Sequence, residues 1–123
     1  MSANKIEPVK LLADLNHFTG TTQWYRNPLF PKFLYTDGVQ FLAENAGCYW
    51  LIDYIFSHQI NAKIKGVPFQ VWTISTDGGQ AVIKVEDGNK KVLKSFEPIY
   101  SDFPFKEYTL WFTDNVLLLV SEY

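Results

Sequence analysis

The chain predicts an α+β domain in which helices near the N-terminus pack on a C-terminal antiparallel sheet. Three observations carry that expectation. Apolar residues at 3.6-residue spacing fall in the first half, alternating β-type runs fill the second, and turn sequences separate those runs at hairpin distances. The 123 residues suit one compact domain over 1–123, long enough to bury a core without disulfide or metal staples. With 47% hydrophobic, 17% aromatic and 20% charged residues, the chain is not of the disordered class.

The first helix is expected over 8–16, where Pro8 suits a first helical position and Leu11, Leu12 and Leu15 form one apolar stripe. From Trp24 to Tyr35, Pro28 and Pro31 remove backbone donors and push their predecessors out of the α region, so this segment reads as extended chain with at most edge pairing. A second helix is expected over 37–46. Thr36 or Asp37 would cap it, Gln40 follows Asp37 by three, Val39, Leu42, Ala43 and Ala46 make its stripe, and Gly47 ends it. A third, over 48–59, has Cys48, Leu51, Ile52, Ile55 and Phe56 on one side and Tyr49, Trp50 and Tyr54 on others, which predicts a central position.

After Gly66-Val67-Pro68 the pattern changes to four to five strands, expected at 69–76, 80–86, 91–96, 109–114 and 116–122. Asp77-Gly78-Gly79, Asp87-Gly88-Asn89 and Asp114-Asn115 read as tight turns, and 97–108, with Pro98 and Pro104, reads as a longer link. The runs at 110–112 and 116–120 are apolar on both faces, so a sheet covered by helices on one side needs a second cover. The segment 24–35 is the expected cover. That favours a monomer, with a homodimer through the second sheet face as the alternative.

The formal charge is −2. Up to Gly66 there are six basic and five acidic residues, and beyond it five and eight, so neither half has the excess that duplex DNA demands. The single cysteine, Cys48, excludes an internal disulfide; the absence of a secretion signal and of a membrane-length apolar run leads to the expectation of a cytoplasmic protein with no membrane partner.

One stretch, HFTGTTQWYR from His17 to Arg26, follows neither period. Its Thr19, Thr21, Gln23, Trp24, Tyr25 and Arg26, the chain's one arginine, combine hydroxyls, an amide and the residue types enriched at binding hot spots, which makes it a candidate recognition loop. The same residues would equally serve a packed connector. A second candidate is the polar set His17, Asp53 and His58: either histidine as acid or base, Asp53 orienting it, Arg26 holding an anionic substrate. Against it, buried polar groups on a helix more often tie that helix to a loop. Cys48, at a helix start where a thiolate is favoured, reads more simply as a small core residue. Two histidines and one cysteine make no metal set, and Gly20 lacks the spacing and the lysine of a phosphate loop, so no metal and no cofactor are expected. Trp72, Trp111 and Phe112 would be a stacking platform for single-stranded nucleic acid, but Lys84, Lys90, Lys91 and Lys94 are interleaved with Glu86 and Asp87, as on a solvated edge strand.

The stretch YTDGVQFLAENAGCYWLIDYIFSHQ from Tyr35 to Gln59 resembles a family of small bacterial, plasmid and phage proteins catalogued as a domain of unknown function. The similarity extends to FTGT, to Gln23-Trp24-Tyr25-Arg26, to QVWTI at 70–74 and to the terminal LWFTDNVLLLVSEY. The resemblance implies one α+β domain and a bacterial or mobile-element origin; it carries no activity, cofactor or site residue. The residues favour a small binding or interaction module for a protein or small ligand, ahead of an acid/base enzyme and of a weak single-stranded nucleic-acid binder.

Overall fold

The computed structural model describes residues 7–21 and 23–123. Helix α1, Pro8–Leu15, starts where Glu7 accepts from the backbone amides of Val9 and Lys10, with Pro8 in the first turn where a missing N–H costs nothing. Two short strands follow, β1 (Trp24–Arg26) and β2 (Leu34–Thr36). Helix α2, Asp37–Ala46, is capped by the Thr36 hydroxyl, which accepts from Val39 N, and ends at Gly47 with φ +66°, a conformation that favours glycine. Helix α3, Tyr49–Ser57, runs into a 3₁₀ turn at His58–Ile60.

The remaining strands are β3 (Phe69–Asp77), β4 (Gln80–Asp87), β5 (Val92–Ser95), β6 (Ile99–Tyr100), β7 (Glu107–Thr113) and β8 (Val116–Leu119). They join β1 and β2 in one eight-stranded sheet ordered β1-β2-β8-β7-β3-β4-β5, with β6 also on β4. All pairs are antiparallel except β2 with β8. The turn between β7 and β8 places both Asp114 and Asn115 at positive φ, 53° and 64°, as a two-residue turn matched to strand twist requires.

The α+β class stands, with two corrections. The sheet has eight strands rather than four to five, and the helices do not all precede it, because β1 and β2 come before α2. The prolines at 28 and 31 misdirect the reading: they sit in the loop between β1 and β2, where no ladder hydrogen bond is lost, so both flanking triplets pair. β1 is an edge strand, whereas β2 is interior, between β1 and β8. The strand expected to run to 122 stops at Leu119, and Val120–Glu122 turn as a 3₁₀ helix that carries Glu122 back to α2.

The expected cover of the sheet also differs. In β3, Trp72 and Ile74 face the helices with Ile83 and Val85 of β4 and Leu110 and Phe112 of β7, and this face forms the core with Leu42, Ile55 and Phe56. Phe103 and Phe105 of the long link close the same core. The opposite face has no described helix on it. The segment 24–35 does not lie across that face as expected; it lengthens the sheet and adds Trp24, Arg26 and Leu34 to the same uncovered side.

Candidate functional site

Register builds the uncovered face strand by strand, since directly paired residues share a side. Trp24 and Arg26 alternate with Tyr25 along β1, and Arg26 pairs with Leu34, Leu34 with Val116, Leu118 with Trp111 and Trp111 with Val71. Leu118 is only 7% exposed yet stands outside the core, shielded by its neighbours on this face. Phe69, Trp111 and Tyr123 form a ring cluster, with centroids 5.1 Å apart for Phe69–Trp111 and for Trp111–Tyr123 and 5.8 Å for Phe69–Tyr123. At the sheet edge Trp24 is 54% exposed. An indole held on a paired strand and half in water offers large contact area at little ordering cost.

The residues of the candidate loop divide accordingly. Trp24 and Arg26 point to the open face; Tyr25 points the other way and stacks on Tyr35, 5.5 Å between centroids. Tyr25 Oη donates to Gln23 Oε1 at 2.9 Å, and the Gln23 carbonyl accepts from Asp37 N. Arg26 Nη1 donates to the Pro31 carbonyl, bracing the loop between β1 and β2. Thr19 is exposed, Thr21 Oγ1 makes a long 3.5 Å contact with Glu122, and Thr22 lies outside the described residues.

The polar set is not gathered in one place. Asp53 Oδ1 accepts from Asn27 Nδ2 at 2.8 Å, while Asn27 Oδ1 accepts from Leu29 N and Phe30 N. Asp53 thus ties α3 to the Asn27 turn. His58, in the turn just past α3, sits against Tyr54 and Phe96, 4.7 and 4.5 Å between ring centroids. Desolvation, helped by Lys94, holds its imidazole below 6.5. His17 is exposed just past α1. Cys48 is buried, with Sγ donating to the Leu42 carbonyl at 3.8 Å. Among the described residues no group of three or more His, Cys, Asp or Glu side chains could hold a metal. Of the stacking trio, Trp72 and Phe112 face the core and only Trp111 lies on the open face.

Two residues that matter were not singled out by the sequence reading. Asn27 is the pivot of the loop after β1, and its signal was Asn followed by Pro, an Asx-turn pattern. Glu122, 7% exposed, accepts from Thr36 Oγ1 at 2.6 Å, Leu119 N at 2.9 Å and Gly38 N at 3.1 Å. Burial pushes its carboxyl up and so does the Asp37 side chain, against the lowering effect of these donors. Burial likewise pushes the Tyr108 hydroxyl up to about 12, with Glu122 and Cys48 adding to it. With its oxygens filled by Thr36, Gly38 and Leu119, Glu122 is a clamp between the chain end and the start of α2.

A family model described as a family of unknown function, DUF6876, matches residues 9–123. The chain belongs to that family. No curated protein and no solved structure matches it. The match spans every element of the DUF6876 fold from α1 to the last turn, Glu122 included, apart from Pro8 at the start of α1. No described helix is long and apolar enough to cross a membrane.

Proposed function

We propose that this chain is a small binding module that docks a protein partner on the helix-free face of its sheet, with Trp24, Arg26 and Trp111 as the contact centre. The observation that carries the reading is the pairing of half-exposed Trp24 with the chain's one arginine on a face continuous with the Phe69–Trp111–Tyr123 cluster. Aromatic and arginine side chains on a rigid scaffold are the residue types that dominate interface energetics. The strands hold them in place before binding, which lowers the ordering cost. A cytoplasmic setting and a bacterial or mobile-element origin belong to the same proposal and would make a host protein the partner.

The test is affinity capture from native-host lysate with wild-type chain and a Trp24→Ala/Arg26→Ala variant, followed by reconstitution of the captured protein with purified chain. The expected result is a one-to-one complex that the variant fails to form while melting like the wild type. A complex that forms equally well with the variant would refute the assignment of this face. A concentration-dependent dimer broken by the same variant would replace the foreign partner with a second copy.

A further inference from the structure

A cleft of about 490 Å³ lies between the loop 27–33 and the turns that follow α3. Leu29, Phe30 and Phe33 line one wall, Ile60 and Gly66 the other, and Asn115 of the turn between β7 and β8 closes one end. It shares Gln59, Gly66 and Asn115 with an adjoining cavity of about 300 Å³ that reaches Gln70 and Phe112. Volumes of this order are those of small-ligand sites.

Both walls are held rigid. Asn27 organises the first through two backbone amides, and Phe30 and Phe33 pack on Phe56 at 6.5 and 5.2 Å between centroids. In the second, Asn61 Oδ1 accepts from Lys63 N, and the fully buried Ile64 anchors the turn. Behind it Gln59 and Gln70 exchange reciprocal amide hydrogen bonds of 2.9 Å, while Gln70 also accepts from Trp72 Nε1 and donates to the Val67 carbonyl. A buried network with every member satisfied fixes a shape rather than filling a gap.

The rim combines two features that protein surfaces usually keep apart. Leu29 and Ile60, on opposite walls, are 69% and 86% exposed, although burying side chains of this kind is what stabilises a fold. Lys32 and Lys65 also line the cleft, and among the described residues neither is in an ion pair. The two segments that form the walls carry no carboxylate: there is no Asp or Glu between Leu15 and Thr36 or between Tyr54 and Thr76, in a chain whose net charge is −2. The one acid in the adjoining cavity is Asp114. The cleft is therefore an apolar-walled concavity lined by two lysines and no carboxylate on an acidic protein, with Asp53 engaged by Asn27 behind the first wall.

From this arrangement we propose that the cleft binds a small amphiphilic anion, an aliphatic or aromatic body bearing a carboxylate, with the body between Leu29, Phe33 and Ile60 and the head group held by Lys32 and Lys65. The Asn115 side-chain amide, at the end of the cleft, would add a donor for the head group. None of Trp24, Arg26 and Trp111 lines this cleft, and the one link to the open face is the hydrogen bond from Arg26 to the carbonyl of Pro31 in the cleft wall, so Trp24 is the residue that separates the two sites.

The test is a ¹H–¹⁵N NMR titration of the full chain with decanoate, and with decanol and decyltrimethylammonium as neutral and cationic probes of the same chain length. Decanoate is expected to shift the amides of Leu29, Lys32, Gly66 and Asn115 and to bind more tightly than decanol, with the cation weakest. Lys32→Gln/Lys65→Gln should weaken decanoate binding about tenfold or more and leave decanol binding unchanged, the loss of charge-assisted contacts. Ile60→Glu, at a position too exposed to disturb folding, should weaken decanoate as well. Equal affinity for the three probes, shifts centred on Trp24 and Trp111, or undiminished decanoate binding by both variants would each overturn the proposal. Trp24→Ala should leave the titration untouched, which separates failure of this site from failure of the open face.

Discussion

The two faces of the sheet are built from alternate residues of the same strands, yet they do opposite things. On the covered face Trp72 is 2% exposed, its indole nitrogen donates to Gln70, and its ring stacks on Phe96 at 5.8 Å. On the open face Trp24 is half exposed beside Arg26 on an edge strand, and Trp111 is shielded by Phe69 and Tyr123 rather than by a helix. Trp72 is thus part of the core, whereas Trp24 leaves half of its surface to solvent. Strands apolar on both sides thus need not be sandwiched between layers: Trp111, paired with Leu118, packs against Phe69 and Tyr123 on the face that carries no helix.

The sharpest way to break this comparison is to truncate both indoles. Trp72→Ala should cost about 3–5 kcal/mol in urea unfolding, from lost burial, a cavity and the lost hydrogen bond to Gln70, whose oxygen keeps only the Gln59 amide. Trp24→Ala should change stability by about 0.5 kcal/mol or less, as surface substitutions do, while removing partner binding. A similar loss from both would mean that Trp24 is packing and not recognition.

The clamp on the covered side comes next. A Cβ on Gly38 would lie 2.7 Å from the Glu122 carboxyl atoms, so Gly38→Ala must displace a group held by three donors. The expected cost is about 1–3 kcal/mol, measured by chemical denaturation. In a Glu122→Ala background the same substitution should cost little or stabilise, because alanine is the better helix former by up to about 1 kcal/mol. An additive double variant would deny the contact.

A smaller effect is the pH dependence that Glu122 adds. Its carboxyl is raised above 4.5 in the folded chain, so the folded state holds that proton more tightly than the unfolded one. Its contribution to stability is fully present below 4.5 and is lost as the pH rises through the folded value. Unfolding curves of wild type and Glu122→Gln at several pH values should therefore diverge across that window, the wild type gaining relative to the variant as the pH falls. Parallel curves would place the carboxyl in water.

The smallest effect is at the rim of the covered face, where His58 should titrate below 6.5 by NMR and move upward in Lys94→Ala, since desolvation and Lys94 both disfavour the imidazolium. A titration at or above 6.5 would place His58 outside the Tyr54–Phe96 contact.

Local chemistry was readable where a residue's role depends on its near neighbours in sequence. Helix α2 spans the expected 37–46 with Thr36 as its cap, and the turn at Asp114-Asn115 sits between β7 and β8 as its composition implies. Trp24 and Arg26 were singled out for their residue types, but their direction followed only from pairing β1 with Leu34–Thr36. Asp53 lies within α3 and His58 in the 3₁₀ turn that follows it, and so the two meet different neighbours. Glu122 looked like a polar end to an apolar strand; its three donors lie at 36, 38 and 119.

Taken alone, then, the sequence determined the α+β class, the three helices with their apolar stripes, the hairpin turns and the lack of a net basic excess, because each depends on periodicity, turn chemistry or composition within short reach along the chain. Tertiary structure decided the rest. It placed β2 parallel to β8 across eighty residues of chain, put Trp24 and Arg26 on the uncovered face, tied Asp53 to Asn27, and brought the carboxylate-free segments together around one cleft. Those outcomes depend on pairing and burial between segments far apart in sequence, and no local pattern records which segment will be the neighbour.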